Sequence, residues 1–123
     1  LENMAIIEDE GLLANTSAMS VRLLGNLNAL AEKHPVIGQV RGMGLFCGAE
    51  LVSDRESRAP MAEKMVAAVV ADCMAQGTII GMTNRSFAGY NNTLFLSPAL
   101  ISTAADIDAI TASIDEALTR VLA

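Results

Sequence analysis

Apolar residues in the first part of the chain recur close to helical spacing, at Met4, Ile7, Leu12, Leu13, Met19, Leu23, Leu24, Leu27 and Leu30. The spacing predicts helix over Leu1–Lys33, divided at Gly11 into a short first helix and a long second one. His34-Pro35 ends it, because the residue before proline is pushed out of the helical region. The pattern then changes. Val36–Val52, VIGQVRGMGLFCGAELV, places glycines between apolar residues and closes on the run Leu45–Val52. That predicts a turn leading into a long strand or bent hairpin, with the glycines permitting close backbone approach. Asp54–Ala59, DRESRA, reads as a charged loop. Pro60 suits the start of a helix, and Met65, Val66, Val69, Val70, Cys73 and Met74 continue that helix to Gly77.

Thr78–Met82 is a short β-branched run, hence a strand, and Thr93–Leu96 is the next. Between them Thr83–Asn92, TNRSFAGYNN, forms a ten-residue loop, of a length that often carries function when ordered. Thr103 with Asp106 three residues on forms a capping box, the shorter acid standing in for Glu. Ile107, Ile110, Ile114, Ala117, Leu118 and Val121 then make one face of a last helix. The order of elements predicts an α+β two-layer sandwich: a small, mainly antiparallel sheet of three to four strands with helices on one face.

Composition narrows the picture. Hydrophobic residues make up 52% of 123, yet aromatics only 3% with no Trp, so the core of this one-domain chain must be aliphatic. Eight basic against fourteen acidic side chains leave a net charge of −6 with no basic cluster, which disfavours nucleic acid as a partner. No apolar run approaches the roughly 18–20 residues that span a bilayer, which disfavours a membrane partner. Cys47 and Cys73 fall in apolar patterns and are read as reduced core residues of a cytoplasmic protein. The opening LENMAIIEDEG begins inside an amphipathic pattern, and the expectation is a piece of a longer protein.

Catalytic constellations are missing. His34 stands alone before a proline, the setting of a surface or helix-terminal histidine, and two cysteines with one histidine give no zinc spacing. Asp106 and Asp108 lie two apart and face different directions, with the helix dipole accounting for Asp106. Lys33 and Lys64 sit among charged neighbours, without the apolar setting that imine chemistry requires. The glycines of RGMGLFCG do not follow a phosphate-loop pattern and read as a tight entry into a strand. Two arginines remain: Arg41 just before the long strand, and Arg85 in the ten-residue loop. Either guanidinium fork suits an anionic substrate group.

Taken together, HPVIGQVRGMGLFCGAELVSDRESRAP, then GTIIGMTN, then NNTLFLSPALISTAADIDAITASIDEAL resemble the C-terminal part of class III pyridoxal-phosphate-dependent aminotransferases, the ω-aminotransferases of fold type I. The resemblance runs over nearly the whole chain. It implies a homodimeric enzyme that moves an amino group from an ω-amino acid or amine to a keto acid such as pyruvate. It also implies residues 1–34 as a helical segment connecting from a missing large domain, and 35–123 as the C-terminal small domain. Pyridoxal 5'-phosphate and its lysine belong to the large domain, so no catalytic, cofactor-binding or metal residue is expected here, and the chain alone is expected to be inactive.

Arg41 matches the arginine of the family's VRGxG element, which reaches the substrate carboxylate in some members and braces the strand in others. Gly81 occupies the place of a mobile arginine found in many amine-accepting members, and Arg85, four residues later, is the candidate to take its role. Leu94, Phe95 and Leu96 lack the arginine of ornithine-type members, and Ala99 replaces the second proline of a common pair. The competing reading is a free-standing α+β module that binds or senses a small ligand. A purely structural oligomerisation domain is a third, supported only by the apolar content.

Overall fold

Gly11 adopts φ 61°, a backbone conformation that strains side-chain-bearing residues, and so separates α1 (Glu2–Asp9) from α2 (Leu12–Lys33). The computed structural model describes residues 1–122. After α2 come β1 (Ile37–Met43), β2 (Phe46–Asp54), β3 (Ala59–Pro60), α3 (Glu63–Ala75), β4 (Gly81–Met82), β5 (Thr93–Leu96) and α4 (Ala104–Val121). The sheet is antiparallel with order β1-β2-β5-β4, and β3 adds a short pairing to β2. The α+β architecture is the one the sequence predicts. Five strands rather than three or four arise because two of them are two-residue pairings.

The long glycine-bearing segment is a hairpin. Gly44 at φ 58° begins the two-residue turn that brings Met43 opposite Phe46. Strand alternation then sorts the side chains. Cys47, Ala49 and Leu51 of β2, with Leu94 and Leu96 of β5, are buried on one face. There they meet Leu23, Leu27 and Leu30 of α2 and Val66, Val69 and Cys73 of α3. α4 packs against both α2 and α3 and adds Ile107, Ile114, Ala117 and Leu118 to the same core. Each fully buried Leu or Ile in such a cluster contributes about 1.5–3 kcal/mol. The capping box forms in both directions: Asp106 N–H donates to Thr103 Oγ1 at 3.2 Å, and Thr103 N–H to Asp106 Oδ2 at 2.8 Å.

Two local expectations are corrected. Pro60 does not start a helix; it pairs with Val52 at the edge of β2, where a residue without an N–H is tolerated, and α3 begins at Glu63. The DRESRA segment is more than a solvated loop. Arg55 Nη2 turns back to donate to the carbonyls of Ala31 at 2.6 Å and Ile37 at 2.7 Å, satisfying one of the terminal carbonyls that α2 leaves unpaired. Within Thr78–Met82 only Gly81 and Met82 pair as strand.

Candidate functional site

The candidate site lies on the face of the sheet away from the helices. Alternation along β1 and β2 places Arg41, Met43, Phe46, Gly48 and Glu50 there, and β5 adds Thr93 and Phe95. All of these except Glu50 line a groove of about 390 Å³, walled by Met43, Phe46 and Phe95 and floored by Gly48. Arg41 is the one charged residue in its lining. Its Nη1 donates to Gln39 Oε1 at 3.1 Å and to Glu50 Oε2 at 3.2 Å. Nε and Nη2 have no hydrogen-bond partner among the described residues, so part of the guanidinium fork is open to an incoming anion.

Thr83 and Thr93 hold the mouth of the long loop against the groove: Thr83 N–H donates to Thr93 O at 2.9 Å, and Thr93 N–H to Thr83 Oγ1 at 3.2 Å. Farther out, Glu63 at the start of α3 accepts from Gly89 N–H at 2.9 Å and from Asn91 Nδ2 at 3.0 Å. The loop is thereby tied down at both ends while Arg85, Phe87 and Tyr90 face outward. Arg85 makes no hydrogen bond or ion pair among the described residues and does not line the Arg41 groove. The two arginines singled out in the sequence are not brought into one cavity.

Several other titratable groups join helices to one another. His34 Nε2 meets Asp115 Oδ1, and Lys33 Nζ meets Asp115 Oδ2 at 2.7 Å, joining the end of α2 to α4 and holding the Asp115 carboxyl below the ordinary carboxylate range. His34 is thus helix-terminal, but it is largely enclosed and partnered rather than a free surface group. Asp108 is anchored by Arg22 and Asn26, which lower its carboxyl to about 2. Burial raises both thiols, that of Cys73 to about 11. Among the described residues no three His, Cys, Asp or Glu side chains converge to hold a metal. Lys33 is taken up by Asp115 and Lys64 lies exposed on α3, so neither fits a covalent link to a cofactor.

Sequence reasoning found Arg41 but missed Phe46, Glu50, Glu63 and Phe95. The alternation Phe46–Gly48–Glu50 against Cys47–Ala49–Leu51 is visible in the sequence and marks the exposed face of β2. Which residues of β5 meet it depends on register, which has no local signature.

A family model described as "Aminotransferase class-III" matches residues 1–118. Over 123 residues the chain is 72% identical to the hypotaurine/taurine–pyruvate aminotransferase of Paracoccus denitrificans and 63% identical to the taurine–pyruvate aminotransferase of Rhodobacter capsulatus. It spans all of itself and 27% of the length of each of these relatives. Among solved structures, a Bacillus anthracis aminotransferase superposes with TM-score 0.93 at 38% identity, over 98% of this chain and 27% of that one. A PLP-bound amine transaminase from an uncultivated Pseudomonas species superposes with TM-score 0.82 at 27% identity, over 94% of this chain and 25% of that one.

Proposed function

Because the chain belongs to the class-III aminotransferases, we propose that it is the C-terminal small-domain segment of a longer enzyme that moves the amino group of taurine or a similar short ω-amino acid to pyruvate. The observation that carries this reading is the 72% identity, over every residue, to a protein named for that reaction. In this reading the longer enzyme works as a homodimer in the cytoplasm. Pyridoxal phosphate, when bound, supplies the electron sink for the transfer. Neither lysine of this segment suits it, so the group belongs to residues outside these 123, and the segment alone transfers no amine.

The segment's own part is recognition. A sulfonate or carboxylate at the groove is held by the open edge of the Arg41 guanidinium, beside the apolar side chains of Met43, Phe46 and Phe95. Glu50 does not block this. The Arg41–Glu50 pair is 3.2 Å long with side chains 52% and 31% exposed, and such pairs are worth only about 0–1 kcal/mol. Glu50 orients the fork and leaves its charge available to a better acceptor.

The test uses the full-length protein with taurine, pyruvate and cofactor, following alanine formation. Alanine accumulates, and Arg41→Ala lowers kcat/KM for taurine by about ten- to a hundredfold, the loss of one charge-assisted contact. Failure to form alanine from taurine overturns the reading. Arg85 is a second anion clamp, supported by its unpartnered guanidinium on an anchored loop. If it clamps, Arg85→Ala lowers activity on an anionic donor more than on a plain amine; equal losses on both, or none, remove it.

A further inference from the structure

Phe95 belongs to two grooves at once. It closes one side of the Arg41 groove, and it also lines a neighbouring groove of about 300 Å³ framed by Ile79, Gly81, Pro98 and Ile110. The ring has two neighbours that place it. Gly81 is its register partner on β4, and a Cβ added at Gly81 would enter the ring. Gly48 is its register partner on β2, but the ring leans toward β4, since a Cβ at Gly48 would meet Thr93 and the Leu94 carbonyl rather than the ring. Phe46 meets it with ring centroids 6.5 Å apart at 43°, a tilted aromatic contact. Phe95 is 38% exposed, and its ring covers Gly81, meets Phe46 and lines both grooves.

We propose that Phe95 determines which amino donors the enzyme accepts, by walling the anion subsite off from an apolar shelf beside it. This rests on the reading of the Arg41 groove as that subsite. With the wall in place, a donor whose acid group sits on Arg41 has no room for a bulky apolar branch on the β4 side, and unbranched donors are selected. Without it, Gly48 and Gly81 offer no replacement side chain, and the two grooves merge. The merged space is lined on its far side by Ile79, Pro98 and Ile110, surfaces that suit an aryl or branched alkyl group.

The experiment compares two donors that differ only in such a branch, 3-aminopropanoate and 3-amino-3-phenylpropanoate, with the full-length enzyme and its Phe95→Ala, Phe95→Leu and Arg41→Ala variants. The readout is the ratio of kcat/KM for the phenyl donor to that for the unbranched one. The active fraction of a preparation cancels in this ratio, so partial misfolding does not hide the effect. In Phe95→Ala the ratio rises by about tenfold or more, the discrimination that one apolar contact surface supplies. Phe95→Leu, which keeps an apolar cover over Gly81, gives a smaller rise. Arg41→Ala weakens both donors together. If Arg41→Ala weakens both but neither Phe95 variant moves the ratio, the partition is overturned and the subsite stands. If Arg41→Ala spares both donors, the subsite itself is wrong, and the partition falls with it.

Discussion

Alanine at position 42 is a severe test of how the Arg41 hairpin is closed. A Cβ added to Gly42 would lie 2.5 Å from Cys47 Sγ, 3.0 Å from Cys47 Cα and 3.0 Å from the Phe46 carbonyl oxygen. Favourable contacts between carbon atoms lie at about 3.5–4.0 Å, so the new methyl is too close to three atoms at once. Cys47 is only 2% exposed, so its thiol has little space into which to rotate. The other two atoms are backbone of a paired strand and yield only if β1 separates from β2. Overpacking of this kind costs about 1–3 kcal/mol. Loss of glycine freedom in the unfolded chain offsets about 0.4–1 kcal/mol of that. The expected net loss is about 1–2 kcal/mol.

Urea unfolding of the chain, followed by far-ultraviolet circular dichroism, measures it as a lower midpoint with an unchanged slope. The decisive comparison is a cycle with Cys47→Ala. Removing Sγ relieves the closest contact, so the double variant loses less than the sum of the single variants by about 0.5 kcal/mol or more. A Gly42→Ala protein as stable as the parent, or a double variant equal to the sum, would refute the contact argument.

Asp108 titrates in an NMR experiment with a midpoint of about 2, because Arg22 and then Asn26 hydrogen-bond its carboxylate. Its folded value lies below the ordinary 3.8, so its contribution to stability is complete above that value and is lost as pH falls toward about 2. Arg22→Ala moves the midpoint back toward 3.8, and an ordinary midpoint in the parent would contradict the pairing. Cys73, its thiol raised to about 11 by burial, resists an aromatic disulfide reagent at pH 8 until the chain unfolds; prompt labelling in the native state would show that α3 does not enclose it. Glu63→Gln weakens the anchor of the long loop, so exchange of the Gly89 amide quickens by about tenfold while global stability barely changes. Unaltered exchange at Gly89 would mean that the loop is held by other contacts.

The helices were legible because their signals are local. The stripes of α2 and α4 repeat every three or four residues, and the Thr103–Asp106 box lies within a single turn. Gly11 announced its break because an unusual backbone angle needed it, whereas the Gly44 turn was not singled out among its neighbouring glycines. What escaped sequence reading depends on residues far apart in the chain. Pro60 reads as a helix start from its neighbours, yet a pairing with Val52 claims it for the sheet edge. Arg55 reads as one charge in a charged run, and only the end of α2 twenty-odd residues earlier gives its guanidinium a purpose. Phe95 lies between Leu94 and Leu96 and looks like one more core residue until alternation turns it to the opposite face.

That alternation also sets how accurately the candidate groove is held. Side-chain period in a strand is two, so every residue that fixes the core face of β2 fixes the open face as well. A one-residue slip of β2 would carry Phe46, Gly48 and Glu50 into the helix-covered layer and expose Cys47, Ala49 and Leu51. Glu50 would then be a charge buried away from its arginine, among the most costly arrangements a small core can contain. Irregular pairing between Ile37 and Gln39 absorbs the one local departure near the start of β1, and from Gln39 to Met43 the register against β2 is continuous. The position of Arg41 is therefore set by aliphatic packing on the far side of its own sheet. Substitutions on the open face should accordingly alter recognition with little effect on stability, whereas substitutions at Ala49 or Leu51 should disturb both together.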